Sequence, residues 1–325
     1  MRAEGRDRED GAMDPDLARD AQPLTGGFSG ETFLVTAAGE EAVMRIYGRH
    51  PERAAIDAAL LDLVRGLLPV PRVLEVGPQA SSERSVEDSS PGMVRPPYVL
   101  TERLPGERLD LVLPGANAGL IDALADSVGR LLGRLSGMPF RRGGIFTGPD
   151  LSVADHPEMP ADLTGWVKLH QSSGPLSRWA SEDRRDLLGV ADDADELLWE
   201  VGRVCLVHSD FNPKNLLVDV GAGTVTGLVD WEYAHAGLPY TDLGNLLRFE
   251  RGPFGDAVFA AYERHTQTSD PLALRRARAA DLWALVELAS RAGTHAVADR
   301  AHDLLLTIAR AGDLTAAPGR NPSQE

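Results

Sequence analysis

Two polar clusters within residues 203–232, RVCLVHSDFNPKNLLVDVGAGTVTGLVDWE, hold side chains able to work together chemically. The first is His208-Ser-Asp210-Phe-Asn-Pro-Lys-Asn215; the second is Asp230-Trp-Glu232. Asp210 and Asp230 offer hard anionic oxygens, and Asn215 offers a neutral one. Magnesium takes oxygen donors and keeps much of its water, so one carboxylate, one amide and phosphate oxygens complete its sphere. The remaining carboxylate can orient a substrate hydroxyl and accept its proton. An aspartate with an ordinary pKa near ~3.9 is a weak base at neutral pH. That suffices for phosphoryl transfer, whose transition state is loose and whose catalysis is mostly positioning and charge neutralisation. Each cluster also has a plain structural alternative. An H-x-D triplet is common, Asp-Trp-Glu can be a surface turn, and Asn215 can cap a strand. The joint spacing and the flanking strands favour chemistry.

Those strands are legible as apolar runs. Residues 204–207 deliver the first cluster, 215–218 leave it, Gly221-Ala-Gly223 turns the chain, and 225–229 deliver Asp230. The three oxygen-bearing side chains thereby stand at the ends of neighbouring strands.

Upstream, Leu24-Thr-Gly-Gly-Phe-Ser-Gly-Glu-Thr-Phe-Leu-Val35 reads as strand, glycine-rich turn, strand, with 32–36 and 42–47 β-prone. Gly26, Gly27 and Gly30 would let backbone N–H groups approach a phosphate. The turn lacks the Lys-Ser/Thr ending of a P-loop, and no helix follows it directly. Pro51 suits a helix start, and Ile56, Ala59, Leu60, Leu63, Val64 and Leu67 recur at helical spacing. Strands are expected at 70–76 and 97–102 around a Ser/Pro-rich loop at 78–96. Beyond residue 104 the pattern is helical, with an amphipathic stretch from Leu120 to Leu135 and helices expected at 161–172, 182–200, 253–266, 271–292 and 295–312. The fold class is therefore α+β. The expected divisions are a disordered arm at 1–22, an antiparallel-sheet domain with one helix at 23–103, a mainly helical domain at 104–315, and a flexible tail at 316–325.

The chain has 325 residues, enough for two real cores. With 33 basic against 49 acidic residues its formal charge is −16, a surface that repels nucleic-acid backbones and suits a cationic small molecule, although such an excess also serves solubility. The single cysteine, Cys205, excludes an intramolecular disulfide and reads as a small buried hydrophobe. No apolar run approaches the ~18 residues of a membrane span, and the N-terminus has no signal-peptide core. A cytoplasmic protein is expected, with no membrane or nucleic-acid partner.

On these motifs the sequence resembles the aminoglycoside phosphotransferase and choline kinase-like family, the small-molecule relatives of protein kinases. His208-Ser-Asp-Phe-Asn-Pro-Lys-Asn215 looks like its H-G-D-x4-N catalytic loop and Asp230-Trp-Glu232 like its metal-binding segment, in the family's order along the chain. The resemblance implies a protein kinase-like bilobal fold. It makes Asp210 the catalytic aspartate, His208 a brace of its loop, and Asn215 and Asp230 the ligands of Mg2+ on ATP or GTP. Asp242 would anchor the loop, or equally cap a helix. Residues 99–103 match the inter-lobe hinge, with the backbone near Glu102 and Leu104 meeting adenine. Gly26, Gly27, Ser29 and Gly30 would cover the phosphates. Three positions depart from the pattern. Ser209 replaces glycine, an exchange of little consequence where φ is negative. Arg45 replaces the phosphate-binding lysine, and Asp57 stands where its helix glutamate is expected; a longer cation would meet a shorter anion. Arginine can grip phosphate bidentately, yet the swap is not conservative by default. Glu232, Trp283 and Glu287 are the candidate acceptor-binding residues.

The expected activity is transfer of the γ-phosphate of ATP or GTP to a hydroxyl of a small molecule, an aminoglycoside or other cationic antibiotic among the candidates. The acidic stretch from Glu182 to Glu200 suits a polycation, but a solvated helix face explains it as well. Alternatives are a metabolic kinase for choline, homoserine or a sugar, a nucleotide-binding pseudokinase suggested by Arg45, and, more distantly, a metal-dependent hydrolase.

Overall fold

The computed structural model of the chain describes residues 21–24, 31–78, 96–157, 159–250, 252–267 and 270–317. Nearly all of the expected arm, the turn carrying Gly26, Gly27, Ser29 and Gly30, most of the 78–96 loop and most of the tail lie outside them. Gln22 and Pro23 already pair with Leu34 and Phe33, so strand structure begins slightly before the expected residue 23.

The described chain divides into two compact units. The first takes the residues up to Gly106 together with Phe146–Ser152 and Thr226–Glu232. A single boundary near residue 104 had placed Asp230 and Glu232 with the helical part; the division instead assigns them to the sheet unit. The reason is local bonding. Leu228 N–H donates to Pro69 O at 2.8 Å, and Thr226 Oγ1 donates to Pro105 O at 2.6 Å.

In the first unit five antiparallel strands lie in the order β1-β2-β3-β5-β4: β1 is Gln22–Pro23, β2 Glu31–Ala37, β3 Glu40–Ile46, β4 Val73–Val76 and β5 Tyr98–Glu102. Alternation along β3 sorts its side chains. Ala42 and Met44 join Val35, Tyr98 and Leu100 in one cluster. Val43 and Arg45 point to the opposite side, where Tyr47 and Val99 pack on Ala54 and Ala58 of the Arg53–Val64 helix. Strand period alone thus turns Arg45 towards the helix-bearing face.

The second unit is mainly helical. The Ala118–Ser136 helix, capped by the Asn117 side chain on Leu120 N–H, packs against the Pro253–Thr266 helix. The strand Val204–Val207 is buried from Cys205 onward and pairs antiparallel with His235–Gly237 and Pro139–Phe140. Burial pushes the Cys205 thiol up to about 12, which leaves it inert. The short helix Thr241–Leu247 lies against Ala273–Ala289. Glycine is required at that crossing: a Cβ on Gly244 would stand 2.1 Å from the carbonyl oxygen of Ala277. Gly244→Ala should therefore cost about 1–3 kcal/mol of stability. A urea titration reads this as a lowered midpoint, and an unchanged midpoint would contradict the crossing.

Candidate active site

The catalytic-loop candidates lie in the second unit. The apolar strand Val204–Val207 runs straight into His208, whose side chain is fully buried and edge-on to Phe211. His208 Nδ1 accepts the Asp210 N–H at 3.3 Å. The Asp242 carboxylate accepts two successive backbone donors, His208 N–H at 2.9 Å and Ser209 N–H at 2.8 Å. Convergence of neighbouring N–H groups on one anion needs a left-handed residue in the turn. Ser209 supplies it with φ 66°. The exchange of glycine for serine therefore does have a consequence, because the backbone there is one that L-residues adopt at a cost.

Asp210 is held from both sides. Asn212 Nδ2 donates to its Oδ1 at 2.9 Å, and Asn215 Nδ2 donates to its Oδ2 at 2.8 Å; both also reach the Asp210 carbonyl. Asn212 in turn accepts Lys214 N–H at the start of a short helical turn. With its nitrogen engaged on Asp210, Asn215 keeps its side-chain oxygen as the atom that can face a cation.

The second cluster belongs to the first unit. Asp230 follows the strand Thr224–Leu228 in a left-handed conformation, φ 68°. Trp231 pins the turn, donating Nε1 to Leu228 O at 3.0 Å and accepting Arg53 Nη2 on its carbonyl at 3.2 Å. Arg45 forks across the cluster: Nη1 donates to Asp230 Oδ1 at 2.5 Å and Nη2 to Glu232 Oε2 at 2.6 Å. Burial works against the Arg45 charge, but Asp230 leads the groups that outweigh it, and its pKa is raised. The expected Arg45–Asp57 ion pair does not form. Asp57 is bonded instead to Arg53 one helical turn before it (2.6 Å) and to the Tyr47 hydroxyl (2.8 Å). Its carboxyl is raised by burial against the pull of Arg53 and Tyr47. Asp230 in the first unit and Asn215 in the second each offer a hard oxygen, the donor type Mg2+ takes.

The remaining candidates are placed as follows. Glu102 ends β5, its N–H donating to Arg72 O at 3.0 Å and its carboxylate accepting Arg72 N–H. Leu104 lies half-buried just beyond it. Trp283 and Glu287 share a half-buried face of the Ala273–Ala289 helix. The Trp166 indole donates to Trp283 O at 2.9 Å, and His170 stands edge-on to Trp166. Glu287 is ion-paired with Arg291. Glu232, expected at the acceptor, is bonded to Arg45. Three acids of the 182–200 stretch are structural: Asp195 caps Leu163 and Thr164, Asp183 binds Arg310, and Glu200 binds Arg276.

Sequence reading passed over Asn212, Trp166, His170 and Arg248. Arg248 is fork-bonded to Asp281, which also accepts Asn245 Nδ2. Asn212 had a signal, since Asn before Pro213 is a helix-capping pattern.

A loop-borne aspartate clamped by two amides, in a chain that also carries a five-stranded antiparallel sheet with a cation on its helix-bearing face, defines a kinase-like phosphotransferase. A family profile described as APH, the phosphotransferase enzyme family, matches residues 20–280. The chain belongs to that family. Solved structures agree on the fold. A thermostable mutant of aminoglycoside phosphotransferase APH(4)-Ia, in ternary complex with ADP and hygromycin B, is 18% identical with TM-score 0.62, covering 90% of this chain and 94% of that one. Wild-type aminoglycoside 2'-phosphotransferase-IIIa with GDP is 17% identical with TM-score 0.67, covering 90% and 93%. A putative aminoglycoside phosphotransferase from Ralstonia eutropha JMP134 is 18% identical with TM-score 0.63, covering 90% of each chain.

Two outcomes follow from the loop. Ser209→Gly relieves the left-handed strain, less the entropy of a freer unfolded chain, for a gain of about 0.5–1 kcal/mol in denaturant unfolding. Burial pushes Asp242 up to about 7, above the ~3.9 of an unfolded chain, against the pull of the His208 and Ser209 donors. Its contribution to stability is thus fully present below about pH 4 and lost as pH rises through about 7. Asp242→Asn cannot ionise, so its stability deficit against wild type should narrow from pH 5 to pH 8; a constant deficit would contradict the shift.

Proposed function

We propose that this chain is a Mg2+-dependent kinase that moves the γ-phosphate of ATP or GTP to a hydroxyl of a small molecule. The observation carrying this reading is the Asp210 carboxylate, fixed by Asn212 and Asn215 on a loop whose backbone Asp242 holds. Such a carboxylate can orient an acceptor hydroxyl and take its proton as the O–P bond forms. Placing the hydroxyl is worth more than basicity here, because the nucleophile need not be deprotonated early. His208 braces the loop through the Asp210 N–H. Asn215 and Asp230 are the residues that would hold Mg2+, which when bound neutralises phosphate charge. Arg45 is the cation for the phosphates. Gly26, Gly27, Ser29 and Gly30 are assigned to cover them, and the backbone near Glu102 and Leu104 to meet the base.

For the acceptor, the −16 charge favours a cation. The structural partners of Asp183, Asp195 and Glu200 remove much of the case for the 182–200 helix as a polycation surface. The half-buried face with Trp283 and Glu287 is the better candidate, since an indole and a carboxylate together suit an ammonium group. A cationic antibiotic such as an aminoglycoside and an amino alcohol such as choline both have that chemistry.

A screen for ADP or GDP release across aminoglycosides, other antibiotics, choline, amino alcohols and sugars should find a turned-over acceptor. Asp210→Ala should lower kcat on it by about 10²–10⁴-fold. Affinity for the Mg2+-nucleoside diphosphate should stay near that of wild type. An active Asp210→Ala variant would remove the assigned base, and a protein that binds nucleotide but turns over no acceptor would be a pseudokinase.

A further inference from the structure

Arg45 has two partners of unequal permanence. Asp230 is assigned to Mg2+, and a divalent cation on that carboxylate would compete with the guanidinium for its negative charge. Glu232 is not assigned to the metal. Its side chain is only 16% exposed, and its contact with Arg45 at 2.6 Å is shielded relative to a surface pair. The helix acid cannot take over, since both Asp57 oxygens are engaged, one by Arg53 and one by Tyr47. The Trp231 contacts with Leu228 O and Arg53 fix the turn that presents Glu232.

We propose that Glu232 is the positioning residue for Arg45: it holds Nη2 of the guanidinium while Nη1, whose hold on Asp230 a bound metal would weaken, meets a nucleotide phosphate. This rests on the reading of Arg45 as the phosphate-binding cation. It also gives a reason for arginine at this position. A lysine ammonium is a single point of charge and would have to divide itself between anchor and phosphate, whereas the planar fork serves both with separate nitrogens. The buried Nε of Arg45, without a hydrogen-bond partner among the described residues, further restricts the group to its two terminal nitrogens.

The test is calorimetric titration of the full chain with MgADP and with MgGDP, and the tighter-binding of the two is then used throughout. Glu232→Gln should weaken binding about tenfold, the scale of one hydrogen bond between charged groups. In steady-state assays KM for the nucleotide should rise while KM for the acceptor stays put. In an Arg45→Met background, itself weakened, Glu232→Gln should cause no additional loss. Arg45→Lys, which keeps the charge but not the fork, should lose a similar factor and respond to Glu232→Gln less than wild type does. That second pair covers the case in which Arg45→Met fails to fold. Unaltered affinity in Glu232→Gln, equal losses in both backgrounds, or a rise confined to the acceptor KM would overturn the positioning role alone. Unaltered affinity in Arg45→Met, or binding of neither diphosphate by wild type, would overturn both it and the reading of Arg45.

Discussion

One buried carboxylate governs the geometry of the catalytic loop. Asp242 has no cationic partner among the described residues; it is held by the N–H groups of His208 and Ser209. Those donors converge because Ser209 is left-handed, so the loop stores strain that the two hydrogen bonds to Asp242 offset. The next N–H, that of Asp210, goes to His208 Nδ1. Three consecutive backbone donors are thus fixed before any side chain of the loop has done chemistry. The Asp210 side chain inherits its direction from them, and Asn212 and Asn215 finish the orientation.

The first unit solves a different problem, how to keep a cation on a sheet face without burying it unpaired. An isolated buried guanidinium is costly, and two carboxylates on its two ends satisfy it. The result is locally anionic, with Asp230 and Glu232 sharing one positive charge. Asp57, displaced from the expected partnership, acquires another use: with Tyr47 and Arg53 it ties the end of β3 to the first turns of its helix.

Much of this was legible in the chain. Spacing picked out Asp210, Asn215 and Asp230 as candidates, because they sit at the ends of short, largely apolar runs. The strand expected at 42–47, found at Glu40–Ile46, and the long helices were legible because residue pattern reports burial. Three things were not. The handedness at Ser209 depends on which carboxylate its N–H must reach, and Asp242 lies 33 residues away. The partner of Arg45 depends on a contact 185 residues distant, against a nearby acid that sequence logic preferred. The acidic helix stayed open between a polycation surface and a solvated face because composition does not reveal that Asp195 caps another helix or that Asp183 and Glu200 have arginine partners.

The same short helix that anchors the loop also reaches the candidate acceptor face. Asp242 stands in the first turn of Thr241–Leu247, and Arg248 follows its last residue. Arg248 is fork-bonded to Asp281 on the Ala273–Ala289 helix. Burial opposes its charge, but Asp281 outweighs that, with Asp210 and Glu287 adding to it, and its pKa is raised. Gly244, between the two ends, brings the helices into backbone contact. The Asp210 loop and the Trp283–Glu287 face are therefore carried on one packed scaffold rather than on independent loops. Two helices in close contact cannot slide without breaking a buried ion pair, so the spacing between Asp210 and Glu287 is set by packing. That rigidity is what a mechanism relying on placement of the hydroxyl, more than on the strength of the base, requires.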